Sequence, residues 1–416
     1  MKINKYKYTG LVLMSALFMT SCSDVVDIPS QDLYTSNGVP VINKIYDVQD
    51  TGYVKALSSG VLNQMLRIEG TNLSHVTSIT FNGLEVDNRT GVYAQSDVSW
   101  VTIPRKIPES ITDTLVYTTE QGTYKMYFPV TIPNMELNGL HNEFAIQGDK
   151  VKVNGDYFDL FDFNDTTETS TSTMFIHNDG LGYSKQLKTD SITESYMGLK
   201  IPKDAPDNSI ITFTWYEMGT KYTKNIPYRM TDQLMFGNFD GDLGWWNDWG
   251  KGLVTNGSNS GDPESLGYGF LRITGSYDSW SWNSTGFGTN WRWLDASAHP
   301  ENYVCKFEVS TASSYPFIDY GENGKNGTKN GGYCLTLNNG SVRNQFDPVS
   351  DGLTNTYGEW ATVSVPLVDM LGGSTLPTAE SSSLWVAMEL VLQPNTSETW
   401  KVDHSFGQFR IEPKNY

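Results

Sequence analysis

The chain reads as an all-β protein built from tandem sandwiches. Short runs such as VTSITFNGLEV, DTLVYTT, YKMYFPVTI and IITFTWYEM alternate apolar with polar residues or are β-branched and aromatic. Each is bounded by Gly, Pro or Asn, the punctuation that ends strands. No long stretch repeats apolar residues at helical spacing, so helix is expected to be minimal.

The first 21 residues carry Lys2, Lys5 and Lys7 and no acid, followed by the apolar run Leu11 to Thr20. A basic start with an apolar segment of ten residues is a secretion signal, too short to cross a membrane. Cys22 follows directly, and Met19-Thr20-Ser21-Cys22 resembles a bacterial lipoprotein cleavage site, which implies that Cys22 is acylated and holds the chain at a membrane. Each buried CH₂ of an acyl chain contributes about 0.8 kcal/mol to that attachment. Residues 22–38, polar and carrying Asp24 and Asp27, read as the lipidated tether.

Removing residues 1–21 takes away three lysines and deepens the formal charge from −18 to −21. So acidic a chain does not track along nucleic-acid phosphates or lie flat on anionic lipid. No CxxC or HExxH spacing occurs, and the five histidines are scattered, so no catalytic zinc site and no cofactor is expected. In NYVCKFEV the alternation places Cys305 with Tyr303, Phe307 and Val309, a buried thiol; an oxidising compartment leaves pairing with Cys334 open.

A weak internal repeat divides the next two hundred residues. Pro104 and Pro202, like Pro108 and Pro206, stand 98 apart, and LRIEGTNL around Gly70 resembles VKVNGDYF around Gly155. That period with short strands fits two immunoglobulin-like sandwiches, residues 39–132 and 133–230. The run IEGTNLSHVTSITFNG further resembles the IPT/TIG domains, an Ig-like family used as spacers and binding modules. The acidic run Asp156 to Asp165, DYFDLFDFND, reads as a solvated edge or turn, with calcium as the alternative.

Residues 231–416 differ in composition, holding ten of the twelve tryptophans. Four of them, Trp280, Trp282, Trp291 and Trp293, lie in GSYDSWSWNSTGFGTNWRWLD. In extended chain each pair shares a face, which predicts two short strands joined by the loop Asn283 to Asn290. A pyranose ring presents an apolar face that packs on indole and a rim of hydroxyls that need hydrogen bonds. Asp278, Asn283, Asn290 and Arg292 stand beside the rings as polar partners, with Tyr277 and Tyr315 as further aromatics. Trp245, Trp246, Trp360, Trp385 and Trp400 are read as core, and the loop Asp319 to Gly332 as either a groove wall or a linker. Hydrolysis would need two carboxylates facing each other across a bond. Asp240, Asp242, Asp248 and Glu264 are candidates, but no pair has a convincing setting.

The opening FGNFDG and the closing DHSFGQFRI resemble β-sandwich carbohydrate-binding modules, whose first and last strands lie together in a jelly roll. The order of acylated Cys, two Ig-like units and a Trp-rich sandwich resembles surface glycan-binding proteins of Bacteroidota polysaccharide-utilisation systems. The likeness is to those of type B, ending in a xyloglucan-binding-type domain. That resemblance implies non-catalytic capture of a β-linked plant polysaccharide on an aromatic platform. It also implies an outer-membrane anchor facing outward, beside a TonB-dependent transporter and its glycan-binding lipoprotein. A glycoside hydrolase or lyase, and an adhesin for a host protein, are the competing classes.

Overall fold

The structure is a computed structural model. It describes residues 35–416 except 88, 162, 164–171, 238, 240–243, 248–251, 279–282, 290–293, 318–331, 338–343, 347, 350–351, 372, 374–375, 377–385 and 394–398. The signal, Cys22 and most of the tether therefore lie outside the described residues. The described chain is all-β and forms two compact units, which divide between Ile132 and Pro133.

The first unit is a sandwich of two antiparallel four-stranded sheets. One orders Val41–Asp47, Met65–Thr71, Val98–Thr102 and Val92–Ala94; the other orders Leu84–Glu85, Val76–Phe81, Thr114–Thr119 and Gly122–Tyr127. Alternation in these strands sends Leu66, Ile68, Ile79, Leu115 and Tyr117 into one core. The Tyr117 hydroxyl, buried there, donates to the Leu73 carbonyl at 2.7 Å, which removes the penalty of an unpaired polar group.

The second unit begins with a sandwich of the same kind. Glu136–Leu140, Lys150–Asp156, Tyr196–Lys200 and Thr189–Ile192 form one sheet. Tyr183–Gln186, Thr173–Asn178, Ser209–Glu217 and Thr220–Tyr228 form the other. The repeated glycine now has a cause. In both sandwiches the first strand carries a bulge, between Ile42 and Lys44 and between Leu137 and Gly139. A Cβ on Gly70 would stand 2.0 Å from the Val41 carbonyl oxygen, and one on Gly155 would stand 2.0 Å from that of Glu136. Only glycine permits that approach. The DYFDLFDFND run is a turn as expected, with Asp159 exposed, but Phe158, Phe161 and Phe163 anchor it in the interior. Asp162 and Asp165 lie outside the described residues.

The C-terminal sandwich packs two antiparallel five-stranded sheets. The first orders Gly244–Asn247, Asn283–Thr289, Val386–Gln393, Gly332–Leu337 and Asn344–Phe346. The second orders Gly252–Thr255, Phe270–Tyr277, Trp400–Pro413, Tyr303–Thr311 and Ala361–Pro366. The last two strands of the chain are each paired on both sides, Trp400–Pro413 between the strands ending at Tyr277 and beginning at Tyr303. The Val386–Gln393 strand is enclosed in the same way in the opposite sheet. Such nesting is a jelly roll. The opening segment docks on the closing strand as expected: the Met235 N–H donates to the Phe409 carbonyl at 2.8 Å, and Phe236 and Phe239 pack on the Phe409 ring. Cys305 is a free thiol with Phe307 and Val309 in the core, as the alternation predicts.

The loop predicted between the two tryptophan pairs is not a loop. Asn283–Thr289 is a strand paired along both edges. Its Gly, Ser, Thr and Asn content signals a turn locally, but hydrogen bonding from two neighbours overrides that propensity.

Candidate functional site

The closing sheet of the jelly roll does not present a free outer face along the closing strand. A bulge between Lys306 and Glu308, opposite Gln408 at φ 51°, re-phases the ladder so that both Phe406 and Phe409 reach the core. Arg410 and Glu412 then share the other face with Lys306 and Glu308. All four are buried, and Glu143 of the preceding sandwich reaches over them. Glu143 accepts from Arg410 Nη2 and from Lys306 Nζ, each at 2.7 Å. Arg410 also meets Glu412 at 2.8 Å and Glu308 at 3.0 Å, and Lys306 meets Glu412 at 3.1 Å. Burial, opposed by Arg410 and reinforced by Glu143, pushes the Glu308 carboxyl up to about 7. The same burial, with the neighbouring carboxylates on the other side, leaves Arg410 a permanent cation.

Phe144, next in sequence, completes the junction. Its ring lies between two guanidiniums, 4.8 Å from Arg410 and 5.5 Å from Arg229, the geometry of a desolvated cation–π pair. Arg229 donates to the carbonyls of Phe144 and Leu266 and to Asp207, so one side chain ties the two sandwiches together. Phe144, Leu234, Leu266, Phe270 and Trp360 form a small apolar core of their own between the two.

Beside this junction opens a cleft of about 600 Å³ between the second sandwich and the jelly roll. Its floor is apolar, with buried Ala145, Val151, Leu266 and Trp360. Its rim is polar and includes His141, Lys152, Tyr196, Glu264 and Glu359. The walls are held by bonds to main-chain carbonyls: the Trp360 indole N–H donates to that of Glu264 at 2.7 Å, and the Thr362 N–H to that of His141 at 2.7 Å. Burial, aided by nearby Lys152, lowers the His141 pKa below its ordinary value. No sequence signal marks this region, because Glu143 and Arg410 are 267 residues apart.

Of the residues predicted to bind ligand, the structure describes the side chains of only Tyr277, Asp278 and Tyr315. Trp280, Trp282, Trp291, Trp293, Asn290 and Arg292 lie outside the described residues, as do Asp240, Asp242, Asp248, Trp385 and residues 319–331 of the loop read as groove wall or linker. In sequence the two tryptophan pairs flank the Asn283–Thr289 strand, which itself spans roughly 20 Å at about 3.3 Å per residue.

Tyr277 is corrected. It is 1% exposed and packs in the jelly-roll core with Leu271 and Ile273, the alternate residues of its own strand, so its ring is not available to a ligand. Asp278, immediately after it, is exposed. Tyr315 is half-buried, and its carbonyl accepts from His404 Nε2 at 2.8 Å. Trp360 and Trp400 are core residues as expected, each 4% exposed. Of the four acids weighed for hydrolysis, only Glu264 is described, at the cleft rim. Among the described residues no group of three or more His, Cys, Asp or Glu could hold a metal ion.

Residues 228–413 match the family model for the surface glycan-binding protein B xyloglucan binding domain. No curated protein matches the chain. Among solved structures, the surface glycan-binding protein PbSGBP-B of Prevotella bryantii is 18% identical, with a TM-score of 0.48, covering 91% of this chain and 100% of its own. SGBP-B from a complex xyloglucan utilization locus of Bacteroides uniformis is 17% identical, with a TM-score of 0.47 and coverages of 90% and 99%. SGBP-B of the Bacteroides ovatus mixed-linkage glucan utilization locus, in complex with a mixed-linkage heptasaccharide, is 12% identical, with a TM-score of 0.25 and coverages of 84% and 72%. The assignment rests on the family match, which spans the jelly roll from its opening segment to its closing strand. Residues 228–413 therefore carry a domain of the surface glycan-binding protein B xyloglucan-binding type.

Proposed function

We propose that the protein captures a neutral β-linked polysaccharide of the glucan, xyloglucan or mannan class at the cell surface, without cleaving it. The observation that carries this reading is the family match over the jelly roll. The ligand surface is assigned to Trp280, Trp282, Trp291 and Trp293, with Asp278, Asn290, Arg292 and Tyr315 around them. A platform of four indoles suits an extended chain of several sugar units. Cys22 anchors the protein to the outer membrane, facing outward, and the captured chain passes to a TonB-dependent transporter and its partner lipoprotein.

The test is affinity electrophoresis of residues 23–416 through gels containing xyloglucan, mixed-linkage glucan, mannan or an acidic pectin, with reducing ends assayed after incubation. Neutral β-glycans should retard the protein and release no reducing ends. A ring stacked on sugar should cost roughly 1–3 kcal/mol of binding when replaced by Ala, by analogy with bases stacked on aromatics. Longer oligosaccharides should bind more tightly than disaccharides. Turnover above a heat-killed control, or retardation by none of the neutral glycans, would reject the reading. Cys22→Ala should move the full chain from membranes to the soluble fraction, and continued membrane retention would reject the anchor.

A further inference from the structure

We propose that the cleft between the second sandwich and the jelly roll is a second carbohydrate subsite, taking a short neutral stretch of the same polysaccharide. It rests on the glycan-capture reading above but uses none of the tryptophans assigned there. At about 600 Å³ the cleft falls within the range of small-ligand pockets. An apolar floor under a polar rim suits a pyranose, which offers carbon-bound hydrogens on its faces and hydroxyls around its edge.

The rim supplies the complementary groups. Among the described residues, the side chains of His141, Lys152, Tyr196, Glu264 and Glu359 make no hydrogen bond to one another or to a neighbour. Donors and acceptors thus line one space without a partner among the described residues. Tyr196 is 37% exposed and adds an aromatic ring. Carboxylates outnumber ammonium groups around the cleft, which disfavours phosphate or uronic acid by like-charge repulsion. A metal ion is not the natural occupant, since no set of ligands is assembled among the described residues. His141, kept neutral by burial beside Lys152, offers one donor and one acceptor without adding positive charge.

The cleft is also pre-formed. Glu143, Phe144 and Arg229 lock its two walls together through buried ion pairs and cation–π contacts. A ligand entering it pays little of the ordering cost that weakens binding at mobile surfaces.

The experiment is isothermal titration of residues 23–416 with a xylogluco-oligosaccharide, a mixed-linkage gluco-oligosaccharide and an oligogalacturonide as acidic control. Two classes of site are expected for a neutral oligosaccharide. Tyr196→Ala and Glu359→Gln, both on exposed side chains, should weaken one class about tenfold, the scale of one lost contact or hydrogen bond, and leave the other intact. Trp280→Ala and Trp291→Ala should do the reverse, and Tyr196→Trp should restore the first class. A single class of site that ignores the cleft substitutions overturns the subsite and leaves glycan capture standing. Cleft-dependent binding of the oligogalacturonide alone overturns the neutral-sugar assignment. Absence of binding to either neutral oligosaccharide overturns both readings together.

Discussion

The first two sandwiches share a repeat, a bulged opening strand and a crowded glycine, yet they end in different relationships to the rest of the chain. The difference lies in the loop after the opening strand. In the first sandwich that loop folds back on its own sheet: Tyr53 lies 5.8 Å from the Tyr46 ring and 4.4 Å from the Arg67 guanidinium. In the second, the corresponding loop carries Glu143 and Phe144 out onto the jelly roll, where Arg410 and Lys306 receive them while Arg229 of the same sandwich also meets the Phe144 ring. The same kinds of contact, aromatic on guanidinium, make one sandwich a unit by itself and fuse the other into a larger one. A repeat specifies the fold of a domain; its autonomy is decided by a few residues outside the repeat.

The strongest way to break this comparison is to remove Glu143. Glu143→Ala leaves the buried Arg410 and Lys306 with Glu308 and Glu412 alone, and breaking one side of a buried ion pair costs about 3–5 kcal/mol. Denaturation of residues 35–416 should show that loss in the transition of residues 133–416 and none in that of residues 35–132. A fragment of residues 231–416 lacks Phe144 as well and should be less stable still, so it is a poor surrogate for the whole in binding assays. If that fragment melts with the stability of residues 133–416, the two sandwiches are separable and the contrast fails.

Acidity sharpens the contrast, because two buried titrating groups of opposite sign sit in the jelly roll. Glu308 is raised from 4.5 to about 7 by burial, so its contribution is fully present below pH 4.5 and lost as pH rises through 7. His404 is lowered from 6.5 to about 4 by burial, against the pull of the Tyr315 carbonyl, so its contribution is present above pH 6.5 and lost as pH falls through 4. Each amounts to about 3 kcal/mol over its window, and between pH 4.5 and 6.5 they oppose each other. Glu308→Gln should unmask the histidine: stability of residues 133–416 should fall by about 3 kcal/mol from pH 6.5 to 4, where the parent chain stays flatter. Parallel pH profiles for variant and parent would show that Glu308 titrates normally.

The smallest effect probes what the sandwiches share. Gly70→Ala and Gly155→Ala each push a Cβ into a backbone carbonyl and should cost about 1–3 kcal/mol, as overpacking does. The first should lower only the transition of residues 35–132, and the second only that of residues 133–416. Unequal costs would mean that one bulge yields where the other holds.

These particulars show what sequence can and cannot disclose. Alternation and turn residues suffice for the all-β class, because each strand announces its own buried face. Carried back from Tyr277 through Ile273 to Leu271, alternation also places that tyrosine in the core; reading outward from the tryptophan cluster hides it. Asn283–Thr289 defeats local reading, since nothing in NSTGFGT but its two pairing partners makes it a strand. The Glu143–Arg410 contact is invisible for a different reason: burial of a charge is decided by a surface assembled from distant segments. The cleft inherits that invisibility, being made wholly of such meetings.

The nested closing strand has a consequence for the order of events during synthesis. Trp400–Pro413 leaves the ribosome well after the strands ending at Tyr277 and beginning at Tyr303, yet both need it as their neighbour. The first sandwich has all of its strands more than 250 residues earlier and is free to fold while the chain is still growing. The jelly roll must wait, exposing Phe270, Phe307 and Val309 until that strand arrives. A chain interrupted between residues 311 and 400 carries a finished first module and an open, adhesive half-sandwich. Such products are natural targets for chaperones and proteases.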